Sequence, residues 1–184
     1  SQPGQEILER SACTVNPADG QITIRMEIGF PANGRTINAG ELVKILFDFL
    51  PVCVKQTLLA ASCPKEGLEK VLHLADDQLY IRQQLKEREL VAFVADGAIL
   101  PRKSGVSSQP MKDAVAFASP QEMAVTLQLP HKGTLRGMGI RKGVTLIVGG
   151  GYHGKSTLLE ALEKGVYDHI AGDGREYVLT DDSA

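Results

Sequence analysis

The stretch Val144-Thr145-Leu146-Ile147-Val148-Gly149-Gly150-Gly151-Tyr152-His153-Gly154-Lys155-Ser156-Thr157 decides the reading of this chain. Val144–Val148 is an apolar, largely β-branched pentad, the composition expected of a strand buried on both faces of a parallel sheet. Gly149–Ser156 fits the pattern G-x-x-x-x-G-K-[ST] of a phosphate-binding loop, or Walker A motif. Thr157–Glu163 consists of helix formers, with Leu158 and Leu162 four apart on one face. Bound phosphates need several N–H donors aimed at one point, and only a tightly curled backbone aims them so. Glycines permit that curl and let the anion approach without a side chain in the way. A helix opening at Gly154–Lys155 turns its unpaired amides and positive dipole end toward the same point. The Lys155 ammonium then reaches the β- and γ-phosphates, and the Ser156 hydroxyl is the candidate Mg²⁺ ligand. Tyr152 is expected to rest on a neighbouring strand, and His153 to contribute its backbone. No G-x-G-x-x-G with a downstream ribose acid competes for this assignment.

Working outward, Met123–Leu159 holds Lys132, Arg136, Arg141, Lys142 and Lys155 and no Asp or Glu. Such a stretch is either a positive field suited to a polyphosphate or a set of solvated turn residues. Upstream, Met123–Leu129 alternates as a strand that Pro130 ends, His131–Gly133 is a turn, and Gly137 and Gly139 frame another. Leu90–Ala95 reads as a buried strand closed by Asp96–Gly97. Pro101–Asp113 reads as an exposed loop. Near the amino end, Ala12–Val15 and Gln21–Gly29 form the arms of a hairpin, with Ile22, Ile24, Met26 and Ile28 on one face of the second. Asn38 caps a helix carrying Leu42, Val43, Leu46 and Phe49, and Pro51 opens a second. Lys65–Glu89 reads as a surface helix interrupted near Asp76–Asp77, its charges a solvated face. Tyr177–Thr180 is a weak strand signal followed by Asp181 and Asp182; either acid superficially imitates the strand-end aspartate of a nucleotide hydrolase, but the residues after Ser156 are too few to finish a nucleotide-binding sheet.

The chain has 184 residues, 43% hydrophobic and 23% charged, with a formal net charge of −2, which excludes wholesale disorder and a surface dominated by nucleic-acid binding. No apolar run approaches the roughly 18 residues of a membrane span. Cys13, Cys53 and Cys63 lack paired spacing and read as buried apolar side chains in a reducing compartment, the cytoplasm or an organelle matrix.

The run GVTLIVGGGYHGKSTLLEALEKGVYDHIAGDGRE (143–176), together with VAFVADGAILPRKSG, GRTINAGELV and GQEILER, resembles the ATPases of the ABC class, a family of long proteins distinct from membrane transporters. The resemblance covers nearly the whole chain. It implies an α/β fold: an α+β amino-terminal domain over residues 1–121, then the first strand–loop–helix unit of an ABC-like ATPase over 122–184. It also implies a longer protein, with the glutamine loop, signature motif and magnesium-binding aspartate outside this stretch. Gly149, Gly150, Gly151, Tyr152, His153, Gly154, Lys155, Ser156 and Thr157 take the role of the ATP-binding loop, with Lys155 as catalytic residue and Ser156 as metal ligand. Ala171 stands where the family pattern has a proline before Gly172-Asp173-Gly174-Arg175-Glu176, leaving that backbone less fixed. No aromatic lies between Phe117 and Tyr152 to stack on adenine.

The expectation is therefore an ATP-binding segment with Mg²⁺ as cofactor. Hydrolysis is expected only in the full-length protein, where two loops face each other across a dimer or pseudo-dimer. An alternative takes the amino-terminal part as an RNA-binding or adaptor module regulated by ATP, on the strength of Arg102, Lys103 and Lys112. A kinase or GTPase with the same loop is a third option.

Overall fold

The computed structural model describes residues 4–62 and 64–183, so Cys63 lies outside the described residues. The chain divides into two compact units, Glu9–Leu68 and Ser1–Leu8 with Glu69–Ala184. In the larger unit β1 (Glu6–Ile7) pairs with a short strand near the carboxyl end, described below.

Within Glu9–Leu68 the expected hairpin forms, with β2 (Cys13–Val15) antiparallel to β3 (Ile22–Ile24). Asn16–Gly20 closes its turn, Asn16 Oδ1 accepting from Ala18 N. Its second arm is shorter than the alternation predicts, and Ile22 and Met26 of the apolar face are exposed. A tight hairpin follows, β4 (Ala32–Asn33) with β5 (Thr36–Ile37). Asn38 then caps α1 (Ala39–Val43), its side-chain oxygen accepting from Glu41 N. The coil continues through a π-helical turn, Lys44–Phe49, into α2 (Leu50–Leu58), whose Pro51 sits in the first turn where its missing N–H costs no hydrogen bond. Cys13 is exposed and Cys53 half-buried, so neither is the buried side chain the sequence suggested.

α3 (Lys65–Glu87), in the other unit from Glu69 onward, runs without the predicted break; Asp77 and Gln78 are buried, as are Ile81 and Leu85. The central sheet is antiparallel, ordered β12-β6-β10-β9, with β6 (Leu90–Ala95), β9 (Ala124–Leu129), β10 (Gly133–Arg141) and β12 (Val178–Thr180). The segment taken for an exposed loop is a hairpin, β7 (Arg102–Ser104) with β8 (Ser107–Pro110). α4 (Lys155–Lys164) and β11 (Asp168–His169), the partner of β1, complete the unit.

Both faces of the sheet are covered. Leu90, Phe93, Leu127, Leu135 and Leu179 pack with Ile81 and Leu85 of α3 on one face. Ala92, Val94, Met138, Ile140 and Val178 pack with Ala161, Leu158 and Leu162 of α4 on the other. Leu90 and Phe93 share a face despite their odd spacing because the β6–β10 register shifts between Ile140 and Arg141, a bulge that turns the strand end over. Gly137 and Gly139, expected at a turn, lie inside β10. A Cβ on Gly137 would meet Val94 O at 2.5 Å and the Phe93 ring at 2.6 Å, and one on Gly139 would meet Val125 Cγ2 at 2.7 Å. The glycines are the floor on which neighbouring side chains lie.

Val144–Val148 departs furthest from expectation. It is irregular, with Val144 at 104%, Leu146 at 82% and Val148 at 75% relative exposure. Strand formation needs an adjacent ladder as well as apolar, β-branched composition. Among the described residues no strand pairs with the pentad.

Candidate functional site

Gly149–Gly154 turns sharply before α4. Tyr152 has φ 62°, Gly154 has φ 76°, and Gly154 is the N-cap residue of α4. No side chain caps that end, so the first amides of α4 have neither an intrahelical partner nor a side-chain acceptor. A Cβ on Gly150 would come within 3.1 Å of the His153 ring, so glycine there is what lets the loop close over His153. Tyr152 rests on no strand and is fully exposed. The Lys155 ammonium folds back to donate to Gly149 O at 2.7 Å and to Gly150 O. Ser156 is exposed and Thr157 half-buried on the first turn of the helix.

The opposite end of α4 is held firmly. Thr180 Oγ1 donates to Leu162 O at 2.7 Å, His169 Nε2 lies 3.3 Å from Lys164 O, and Arg82 donates to Val166 O at 3.0 Å. Arg82 also pairs with Asp168 at 2.7 Å. α4 is thus gripped at its carboxyl end while its amino end stays open.

Beside the loop lies a hollow of about 350 Å³. His153, Gly154, Thr157 and Leu158 form one wall, and Leu100, Pro101, Val115 and Phe117 the other. Behind the second wall is a buried polar network that sequence reasoning missed. Arg102 forks onto Asp173, Nη1 to Oδ1 at 2.9 Å and Nη2 to Oδ2 at 2.8 Å. His169 Nδ1 meets the same carboxylate at 2.7 Å. Arg175, fully buried, donates through Nε to Leu100 O at 3.0 Å, also through Nη2, and faces Glu160 of α4 at 3.6 Å. Burial by itself pushes the Asp173 carboxyl up, but the hydrogen bonds from His169 and Arg102 outweigh it and hold Asp173 below the ordinary carboxylate range. Gly174, at φ 80°, leaves no room for a Cβ, which would sit 2.7 Å from Ile99 Cβ. The Gly172–Glu176 backbone that the missing proline leaves free is therefore fixed by side chains. The legible signal was Asp173-Gly174-Arg175, two opposite charges around a glycine.

Other charges prove to be committed within the fold. Asp77 accepts from His131 N at 2.9 Å and Lys132 N at 3.0 Å, anchoring the β9–β10 turn, and Lys132 Nζ lies 4.3 Å over the Tyr177 ring. Arg136 pairs with Asp96 at 2.6 Å. Of the basic residues credited to a nucleic-acid surface, Arg102 is held by Asp173, while Lys103 and Lys112 are exposed. Tyr177–Asp182 does contain a strand, β12, because pairing with β6 supplies what its short apolar run lacks. Asp181 accepts from Ser183 N at 3.0 Å, and the hollow it lines with Asp182, Arg82 and Lys86 includes no residue of the glycine loop.

No helix among the described residues is long and apolar enough to cross a membrane, and no group of three or more His, Cys, Asp or Glu among them forms a metal-binding cluster. Residues 64–184 match the P-loop domain model of the ABC-class ATPases, and residues 1–61 match the model of the N-terminal region of ATPases of the ABC class. An uncharacterized protein of Methanocaldococcus jannaschii is 33% identical over 112 residues, covering 56% of this chain and 25% of that protein. The chain thus spans about a quarter of the length of the curated relative it matches. With its glycine-rich loop, the open amino end of α4 behind it and both family matches in agreement, the chain belongs to the ATPases of the ABC class.

Proposed function

We propose that this chain binds ATP through Gly149–Thr157, with Mg²⁺ as the companion ion. The observation that carries the reading is the uncapped amino end of α4, presented by a left-handed glycine with Lys155 as its first helical residue. The donor set suits an anion: the uncapped first amides of α4, a helix dipole and an ammonium, within a stretch free of carboxylates. Lys155 leaves the carbonyls of Gly149 and Gly150 to neutralise the β- and γ-phosphates, and Ser156 supplies a hydroxyl oxygen to the metal. Bound Mg²⁺ would offset phosphate charge and fix the orientation of the terminal phosphates. The hollow lined by Phe117, Val115 and Leu100 adjoins His153, Gly154 and Thr157 and is the proposed seat of the nucleoside end of the ligand. Turnover requires a carboxylate at the metal beside the Ser156 hydroxyl. Asp181 and Asp182 line a different hollow, so hydrolysis is proposed for the longer protein, with residues beyond those described completing the metal site.

Titration calorimetry with Mg²⁺–ATP tests this reading. Wild-type chain is expected to bind, and Lys155→Ala to lose at least about tenfold in affinity, or about 1.4 kcal/mol. Equal affinity in the two proteins would refute the assignment of the loop.

A further inference from the structure

The hollow beside the glycine loop has two unlike walls. His153, Gly154, Thr157 and Leu158 belong to the loop and the first turns of α4, so α4 carries that wall. Leu100 and Pro101 belong to the irregular connection between β6 and β7. That connection has backbone partners on both sides, Ile99 N to Gly174 O at 2.8 Å and Phe117 N to Ala98 O at 2.8 Å. Neither partner is part of α4. Leu100 and Phe117 share an apolar cluster with Leu158, Ala161 and Leu162 of α4, so packing brings the walls together, and what fixes their direction is whatever polar link joins Leu100–Arg102 to the helix.

Two side-chain routes supply such a polar link. Arg175 donates to Leu100 O and faces Glu160, in the middle of α4. Arg102 grips Asp173 with both ends of its guanidinium, Asp173 holds His169, and His169 reaches Lys164 O at the end of α4. Asp173, His169 and Arg175 are each 1% exposed or less. A forked guanidinium–carboxylate pair fixes direction as well as distance, which apolar packing does not. Buried ion pairs add little net stability over an apolar equivalent, whereas leaving one partner unpaired is costly.

We propose that the Arg102–Asp173–His169 chain, with Arg175, is a positioning device for nucleotide binding: it holds the Leu100–Pro101 wall at the spacing from α4 that accepts the nucleoside part of the ligand. None of these residues touches the phosphates. The proposal rests on the ATP-binding reading above, and it separates the two halves of the ligand. The phosphates depend on the loop, and the gain in affinity from base and ribose depends on the network.

The test compares Mg²⁺–ATP with Mg²⁺–tripolyphosphate, which carries the phosphates alone, by calorimetry on the full 184-residue chain. Wild type should bind ATP at least about tenfold more tightly than tripolyphosphate. Asp173→Asn, close to isosteric, and Arg102→Lys, which keeps the charge but not the fork, should each cut ATP affinity by about tenfold while leaving tripolyphosphate within about twofold. Unchanged tripolyphosphate binding also reports that the loop and α4 remain folded, a result that general destabilisation would not give. Arg102→Ala should lower the ATP preference further. Loss of both probes in Asp173→Asn and Arg102→Lys, or no loss of ATP affinity in either, overturns the proposal. A wild type that binds tripolyphosphate as tightly as ATP overturns it while sparing the phosphate loop. A wild type that binds neither probe removes the ATP-binding reading and, with it, this inference.

Discussion

Tyr177 shows how much one side chain draws from a residue far away in sequence. Burial first, then the negative charges of Asp77 and Glu176, push its phenol up to about 12. An unfolded tyrosine ionises near 10. Between about pH 10 and 12 the unfolded chain gives up this proton while the folded chain keeps it, so stability falls as pH rises through that window. Tyr177→Phe removes the difference. Its urea midpoint should decline less steeply than that of wild type above about pH 10, even if its neutral-pH value is lower for want of the hydroxyl. A parallel decline in both proteins would mean that the phenol is not protected by the fold. The sequence offered Asp77 only as one of two acids on a helix face. Its role at the β9–β10 turn exists because α3 passes under that turn, which no local pattern encodes.

Among elements, β10 and α4 carry the clearest consequences. β10 needs glycine at 137 because the Phe93 ring and the β6 backbone occupy the space of a side chain. Gly137→Val forces main chain and ring apart, and overpacking of this kind costs on the order of 1–3 kcal/mol, measurable as a lowered denaturant midpoint at unchanged slope. A midpoint equal to wild type would show that the sheet yields freely there. The apolar run of β6 and the alternation of β9 and of the second hairpin arm were legible, as were the cap at Asn38 and the helix after Lys155, since each rests on a local rule about caps or patterning. Gly137 and Gly139 misled because a glycine pair signals a turn only when no neighbouring strand needs the space. Val144–Val148 misled in the opposite sense: its residue types suit a strand, but pairing is a property of two segments and not of one.

For the molecule, the glycine loop, the apolar hollow and the buried network all fall within residues 100–175, inside the larger compact unit. A chain of residues 65–184, which removes β1 of the larger unit along with the smaller unit, is expected to bind tripolyphosphate within about twofold of the 184-residue chain, since the glycine loop lies outside the β1–β11 pair; the same calorimetry checks it. A loss beyond about tenfold would show that the loop depends on residues before Lys65. Among the described residues of Glu9–Leu68 none is buried, and Phe47 and Phe49 are largely exposed. The core of the larger unit, by contrast, covers both faces of its sheet.

What the residues alone determined is the loop. Gly149–Thr157 carries its own instructions, because curled glycines, a helix start and a lysine are adjacent in the chain and act over a few ångströms. Tertiary structure alone decided which charges serve the fold. Asp77 meets residues 54 and 55 positions away, and Arg102 meets Asp173 at a separation of 71. Such pairings arise only when the sheet brings distant segments together, since a buried charge acquires its partner from packing and not from its neighbours in sequence.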